Sequence, residues 1–295
     1  MNKNKLLEKY ERYVLRNLGL AWKTMLGYKY KLEFYIDWLI ANNINAKNIT
    51  LDETYDFIAH RRSLGDSDRN IAGYKTAIQH FNQCIKMKSN PMLFVKLSKA
   101  HKTTPTNLLD EEFLETIYRD AVANTLVQKR DRCMLGMIVF LGLQRNELEA
   151  LELDDIDLSE MKITIPVMKN SNGRVLNLHG KQIAHLMDYI YNIRAKLLIE
   201  ARKNTTKLFF SNGSGTGMNG AINRMLPRLK KEFNFIKDFH HLKQSRVAIW
   251  VKEHGLRDAQ YLGGYKYVTS VQRYDFKSID DLKSELEVLH PMNFF

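Results

Sequence analysis

The sequence is poor in cysteine and proline and contains no long apolar run. Its 295 residues include five prolines and two cysteines, Cys84 and Cys133. Two isolated cysteines exclude a disulfide framework and the ligand spacing of a zinc site, so we expect neither a metal nor another cofactor. The longest apolar run, 133–143, is too short to span a bilayer and is typical of a buried helix.

The first 14 residues are charged throughout and lack the apolar core of a secretory signal. We therefore expect a cytoplasmic protein that has no membrane partner.

What the sequence does have is an excess of positive charge. The formal net charge is +12 at pH 7, and the sequence pI is about 9.5. An excess of this size attracts polyanions, of which nucleic acid is the commonest. A basic surface without such a partner is the alternative at this point, since charge alone does not identify a ligand.

Residues 1–100 predict helices only. Apolar residues recur there at intervals of three and four, without the alternation of a strand. Thr50 followed by Glu53 predicts a capping box that begins a helix running to about Arg62. A further helix is predicted over 71–85. We expect a helical domain over 1–100.

Residues 97–107 form a polar and basic segment that contains Pro105 and lacks periodicity. This composition predicts a linker between two domains. A surface loop inside one domain is the alternative.

Residues 108–295 predict a second domain, mostly α-helical with one small antiparallel sheet. Two segments rich in β-branched residues flank Lys169-Asn-Ser-Asn-Gly173, and we interpret the Asn-Gly pair as a hairpin turn. The remaining predicted elements of this domain are helices, at 110–123, 131–143, 181–203, after the Gly/Ser loop at 211–220, and at 240–254.

Four local motifs follow one another in this second part. They are Leu141-Gly-Leu-Gln-Arg-Asn-Glu-Leu148 with Asp154-Asp-Ile-Asp157, the hairpin with Lys169, His240-His-Leu-Lys243, and Leu262-Gly-Gly264 with Val271-Gln-Arg-Tyr274. In this order they resemble the catalytic-domain motifs of the tyrosine recombinases and phage-type integrases. The helical first half is similar to the core-binding domain of that family, so the resemblance covers nearly the whole chain.

The resemblance implies a helical core-binding domain joined to a tyrosine-recombinase catalytic-type domain. It also implies double-stranded DNA as partner and a role in DNA recombination or integration, including that of mobile genetic elements. In the family, a tyrosine oxygen attacks a phosphodiester and forms a 3′-phosphotyrosine, which needs neither metal nor nucleotide. Tyr274 occupies the position of this nucleophile, Lys169 that of the hairpin lysine and His240 that of a histidine in the site.

Three positions depart from the family pattern. Gln144 stands where the first arginine is expected, Lys243 replaces the second arginine, and Gly264 replaces a histidine. Paired arginines can grip the charge that develops on the phosphate, and lysine lacks their planar fork. Arg145 and Arg246 are the candidate compensating residues. Arg145 is not an obvious substitute, because on a helix it would point about 100° away from residue 144.

Two functions therefore stay open. The first is a recombinase that cleaves and rejoins DNA through Tyr274; the second is a catalytically degenerate relative that binds DNA as an accessory, architectural or regulatory factor. An apolar stripe after Tyr274 predicts a helix that joins copies of the chain into a homo-oligomer on DNA. Packing of this helix back on its own domain is the alternative, and a partner recombinase is a further candidate for the contact. The stripe comprises Ile279, Leu282, Leu286 and Leu289.

Overall fold

The computed structural model describes residues 3–97, 105–213 and 217–275. The chain divides into two compact units, Met1–Lys102 and Thr103–Phe295. The predicted linker 97–107 overlaps this division, but residues 98–104 lie outside the described residues, so its conformation stays a prediction.

The first unit is helical in its described part, as predicted. Aromatic rings pack edge to face at its centre; those of Tyr35 and Phe57, for example, lie 5.0 Å apart. Thr50 and Glu53 form the predicted capping box, in which each side chain accepts the other residue's backbone N–H. The helices are α1 (Lys3–Arg16), α2 (Trp22–Ala41), α3 (Leu51–Ser63) and α4 (Asp68–Cys84), followed by a 3₁₀ turn at Pro91–Leu93.

The second unit is built around one buried helix, α6 (Leu126–Val139). It begins five residues earlier than predicted, because Thr125 and Gln128 form a capping box that the apolar pattern does not reveal. The other helices are α5 (Glu111–Asp120), α7 (Arg145–Ala150), α8 (Gly180–Asp188), α9 (Arg194–Ala201), α10 (Met218–Glu232) and α11 (Phe239–Leu262). A π-helical turn, Tyr189–Ile193, joins α8 to α9.

The predicted sheet has three antiparallel strands in the order β1 (Ile156–Asp157), β2 (Lys162–Ile165) and β3 (Arg174–Asn177). The predicted Asn-Gly turn is wrong. The β2–β3 ladder closes at the pair Ile165 and Arg174, and the chain reverses further out, where Met168 and Ser171 exchange backbone hydrogen bonds. Asn172 instead donates its backbone N–H to the carbonyl of Gly264, 3.0 Å away.

The first segment of α11 ends at the predicted position, because Gly255 breaks the helix directly after His254. Gly255 has φ +80° and ψ 177°, so two helical segments meet there. The second segment ends at the Gly263-Gly264 pair, and two 3₁₀ turns, Val268–Ser270 and Gln272–Tyr274, follow. The apolar stripe beyond Tyr274 lies outside the described residues. Within residues 3–97, 105–213 and 217–275, no helix is long and apolar enough to cross a membrane.

Candidate active site

An open pocket of about 240 Å³ lies in the second unit, where the start of α7 meets the start of α11. Four of the residues that line it, Gln144, Arg145, His240 and Lys243, were singled out in the sequence. The family pattern therefore brings together residues about 100 positions apart. Ile138, Leu143, Asn146 and Phe239 complete the lining.

Gln144 is the N-cap of α7 and not a residue inside the helix. Its backbone is extended, with φ −86° and ψ 162°, and its N–H donates to Glu147 Oε2 over 2.7 Å. The helical offset of about 100° per residue therefore does not apply between Gln144 and Arg145. This corrects the argument against Arg145, because both side chains line the same pocket.

Arg145 is held at the rim of the pocket by two contacts. Its Nη1 donates to Asn223 Oδ1 over 3.0 Å, and its guanidinium lies 5.7 Å from the ring centre of Phe239. Both contacts leave most of the guanidinium N–H groups unused, since an arginine carries five. Arg145 is thus a cation that lines the pocket next to Gln144.

Arg246, the other compensating candidate, does not join the pocket. It is buried, its Nε donates to the carbonyl of Val139 over 2.5 Å, and both Nη atoms bind Glu111, at 2.5 and 3.0 Å. This bidentate pair ties α11 to α5. The guanidinium of Arg246 therefore has a structural role and does not face the pocket.

Lys243 lines the pocket and is almost completely buried. Its Nζ donates to the carbonyl of Gly263 over 3.0 Å and lies 5.0 Å from the ring centre of Tyr265. Burial lowers the pKa of Lys243 to about 8; the charge of Glu147 acts in the opposite direction, and that of Arg174 in the same direction. The charge of this lysine is therefore sensitive to pH just above neutrality.

His240 lies on the first turn of α11, one turn before Lys243. Its side chain is exposed at the surface, yet the surrounding protein desolvates the imidazole enough to lower its pKa. Asp238 raises that pKa, while Lys243 and Arg273 lower it further. A largely neutral imidazole at pH 7 can accept a proton.

Behind the pocket, Glu147 and Arg174 form a fully buried ion pair. Arg174 Nη1 lies 2.7 Å from Glu147 Oε1, and Arg174 Nε donates to the carbonyl of Leu262 over 2.8 Å. Burial opposes ionisation of Glu147, but the hydrogen bonds and charge of Arg174 outweigh it and hold the pKa of Glu147 below its usual value. The pair connects α7, β3 and the end of α11.

Gly264 lies against this pair with φ +69°, and a β-carbon there would overlap the Arg174 guanidinium. Position 264, where the resemblance led us to expect a histidine, therefore leaves no room for a side chain while Arg174 keeps this position.

Lys169 lies at the exposed tip of the β2–β3 hairpin, next to Met168 in the turn. The turn end of this hairpin is attached to the segment before Tyr274. Ser171 pairs with Tyr265 in a β-bridge, and Asn172 contacts Gly264 and Tyr265. The hairpin and the tyrosine segment are thus one connected substructure.

Tyr274 is buried, with 3% of its surface exposed. It packs in an apolar cluster with Val247, Trp250, Ala259 and Val271. The structure therefore places Tyr274 beside the residues around Lys243, but it does not present the phenol to solvent.

Sequence reasoning missed three residues that shape this site: Glu147, Arg174 and Tyr265. Glu147 was quoted as part of the Gly-Leu motif without a role, although a carboxylate three residues after an N-cap is a recognisable capping signal. Nothing in the local pattern marks Arg174 or Tyr265, since both act through contacts distant in sequence. Among the described residues, no group of histidine, cysteine, aspartate and glutamate side chains could hold a metal ion.

Comparison with known proteins identifies the family. Relatives of similar length include the tyrosine recombinase XerD of Listeria innocua serovar 6a, 24% identical over 98% of this chain and 99% of that protein. XerD of Staphylococcus aureus strain Mu50 is 27% identical, over 97% and 98%.

Two solved structures share the fold. The XerH site-specific recombinase, bound to its palindromic difH substrate in a post-cleavage complex, matches with a TM-score of 0.73, 18% identity and coverage of 98% of this chain and 85% of that one. The Tn1549 transposon integrase, in complex with a circular intermediate DNA, matches with a TM-score of 0.71, 17% identity and coverage of 96% and 99%. The model of the phage integrase family matches residues 107–278, more than half of the chain. The chain therefore belongs to the phage integrase family of tyrosine recombinases.

Proposed function

We propose that this protein is a site-specific DNA recombinase that cleaves and rejoins strands of double-stranded DNA through a 3′-phosphotyrosine at Tyr274. The observation that carries the proposal is the meeting of Arg145, His240 and Lys243 in one pocket. Two of these are cations despite the glutamine at position 144, so the pocket can still accept a phosphate group.

The proposed reaction is a transesterification at phosphorus. The Tyr274 oxygen bonds to phosphorus, the bond from phosphorus to the 5′ oxygen breaks, and the tyrosine proton passes to His240. Arg145 and Lys243 stabilise the charge that develops on the phosphate. Lys169, at the exposed hairpin tip, protonates the leaving 5′ oxygen. Rejoining is the reverse of these steps.

The burial of Tyr274 adds a requirement to this proposal. A phenol with 3% exposure cannot reach a phosphodiester, so the 3₁₀ turn Gln272–Tyr274 must shift when DNA binds, far enough to expose the phenolic oxygen. We expect cleavage to need the assembled DNA complex, in which copies of the chain or a partner recombinase contact one another. The XerH and Tn1549 integrase structures were both determined with DNA, which supports a DNA-bound form as the active one.

A second candidate function is DNA binding without cleavage, as an accessory, architectural or regulatory factor. It is favoured by the engagement of Lys243 with Gly263 and by the buried nucleophile. In this alternative the net charge of +12 serves binding alone.

One experiment separates the two functions. DNA duplexes selected from a random library by binding to the full chain are rebuilt as suicide substrates with a nick near the centre of the protected region. A covalent adduct, resistant to denaturation and absent from Tyr274→Phe, is expected from the recombinase. Selective binding with no adduct at any nick position would overturn the cleavage proposal and leave the binding function. No selection of any duplex would overturn both.

A further inference from the structure

Tyr265 has a buried hydroxyl group that makes no hydrogen bond of normal geometry with any described residue. A buried unpaired hydroxyl costs free energy, so it is a feature that needs a reason. The phenolic ring has room because Gly263 carries no side chain; a β-carbon there would lie 2.6 Å from the ring. The two consecutive glycines thus make space for two different groups, the ring of Tyr265 and the guanidinium of Arg174.

The hydroxyl of Tyr265 lies beside the proposed nucleophile. Tyr265 packs against the apolar cluster that contains Tyr274. Burial raises the pKa of Tyr265 far above its usual value, and the phenol of Tyr274 raises it further, through its charge and as a hydrogen-bond neighbour. The two phenolic hydroxyls are therefore neighbours, but no hydrogen bond of normal geometry joins them.

Four charged groups surround this pair of tyrosines. Lys243 lies over the face of the Tyr265 ring at 5.0 Å, which is a cation–π arrangement. Arg273 and Glu147 influence the Tyr265 hydroxyl in opposite directions, and Arg174 is ion-paired with Glu147. The environment therefore contains more positive than negative charge, which favours an anion at one of the two phenols.

We propose that Tyr265 is a positioning residue for Tyr274, and that its hydroxyl donates a hydrogen bond to the Tyr274 oxygen as that oxygen loses its proton. This inference rests on the proposed role of Tyr274 as nucleophile. Gly264 has no side chain that could donate a hydrogen bond, and the next residue in the chain supplies a donor.

The direction of the hydrogen bond follows from the environments of the two phenols. The hydroxyl of Tyr265 is desolvated, and this burial raises its pKa. It therefore keeps its own proton and acts only as a donor, while the Tyr274 proton leaves to the base of the site. No proton is transferred to Tyr265 in any step.

The test substitutes Tyr265→Phe, which removes one oxygen and keeps the ring. Tyr267→Phe is the matched control, since Tyr267 is two residues away and 70% exposed. Removing a hydroxyl that has no hydrogen-bond partner leaves no group unpaired, so both variants should melt at the temperature of the wild type.

The first readout does not depend on cleavage. A fluorinated tyrosine whose phenol ionises near neutral pH replaces Tyr274, and its ¹⁹F resonance is followed against pH in the full chain without DNA. In Tyr265→Phe the ionisation midpoint should rise by about one pH unit, because the phenolate loses a donor. Tyr267→Phe should leave it unchanged. An unchanged midpoint in Tyr265→Phe overturns the inference.

The second readout is the pH profile of adduct formation on the selected suicide duplex. Its rising limb should move to higher pH by the same interval in Tyr265→Phe. If the wild type forms no adduct, the cleavage proposal fails while the ¹⁹F titration still decides the inference. If adduct forms and the ¹⁹F midpoint does not move, the inference fails while the proposed function stands.

Discussion

The guanidinium of Arg174 occupies the space that a side chain at position 264 would need. Gly264 has φ +69°, and its missing β-carbon would overlap Arg174 and lie 3.3 Å from Glu147 Oε1. The glycine at position 264 is therefore linked to a buried ion pair that joins α7, β3 and the end of α11. A side chain introduced at position 264 alone would displace Arg174 from this pair.

Gly264→Ala should therefore destabilise the second unit by more than the backbone strain of replacing a glycine with positive φ. Gly255→Ala is the matched control, since Gly255 has φ +80° but no atom near its β position. The control should lose about 1–3 kcal/mol, because a residue with a β-carbon is strained at φ +80° and ψ 177°. Gly264→Ala should lose about 2 kcal/mol more, because the buried Arg174 is displaced from Glu147.

The measurement is urea unfolding of the second unit, followed by the fluorescence of Trp250 in a background where Trp22 and Trp38 are phenylalanine. Equal losses in the two variants would contradict the overlap with Arg174.

The helices, the sheet and most of the pocket could be predicted from the sequence, because they depend on local signals. Thr50 with Glu53 marks a helix start, and the Gly-Leu and His-His-Leu motifs lie at the ends of the elements that form the pocket. The Asn172-Gly173 turn was predicted wrongly, since Asn172 bonds to Gly264 and not within a tight turn. The position of the turn thus depends on a contact with a segment about 90 residues away, and local turn propensities take no account of such contacts.

Arg145 shows the same limit from another side. A helical-wheel argument placed it away from the pocket, but the capping of α7 by Gln144 changes the backbone at that point. Likewise, Arg246 is held away from the pocket by its ion pair with Glu111, and no sequence motif predicts this pair. Contacts between segments distant in sequence therefore determine that Arg145 lines the pocket and that Arg246 does not.

Arg145→Gln should reduce adduct formation by about 10²–10³, the usual effect of losing one preorganised donor. Arg224→Gln is the control, since Arg224 is exposed on α10 and its loss changes the net charge equally. Single-turnover assays on the selected suicide duplex measure both variants. Comparable rates for the two variants would show that Arg145 acts only through general charge.

The DNA affinity should depend on pH through Lys243. Burial lowers the pKa of this lysine to about 8, so its charge is present at pH 7 and is lost as the pH rises above 8. If Lys243 contacts a phosphate, the slope of log affinity against log salt should fall by about one between pH 7 and pH 9.5. Lys243→Arg stays charged and should keep the same slope at both values. A wild-type slope that does not change with pH would place Lys243 outside the phosphate contacts.

Deleting residues 278–295 should abolish cooperative assembly on DNA and leave binding to a single site intact. The expectation rests on the apolar residues of this segment, which recur at helical spacing. Gel shifts on duplexes with one and with two selected sites measure the two effects separately. A full-length chain in which Leu282 and Leu286 are serine tests the stripe without shortening the protein. Cooperativity that survives both changes would contradict a role of the segment in oligomer formation.

The last prediction concerns the arginines that the chain lacks. Gln144→Arg and Lys243→Arg together should raise adduct formation above the wild-type level, because two planar forks would then face the charge that develops on the phosphate. Gln144 lines the pocket from an N-cap position, so a longer side chain there can extend into the cavity of about 240 Å³. The variant at 243 meets a tighter environment, since Lys243 has 2% exposure and donates to Gly263.

Each single variant is therefore measured beside the double one, and we expect most of the gain from Gln144→Arg. Adding Tyr274→Phe to the double variant should remove all adduct and leave the affinity nearly unchanged, because phosphate contacts dominate binding. Robust cleavage by the wild type would mean that Arg145 already supplies the donor that position 144 lacks. No gain in either single variant or in the double variant would mean that the buried Glu147–Arg174 pair and Gly264 have changed the shape of the site as well as its residues, and would favour DNA binding without cleavage.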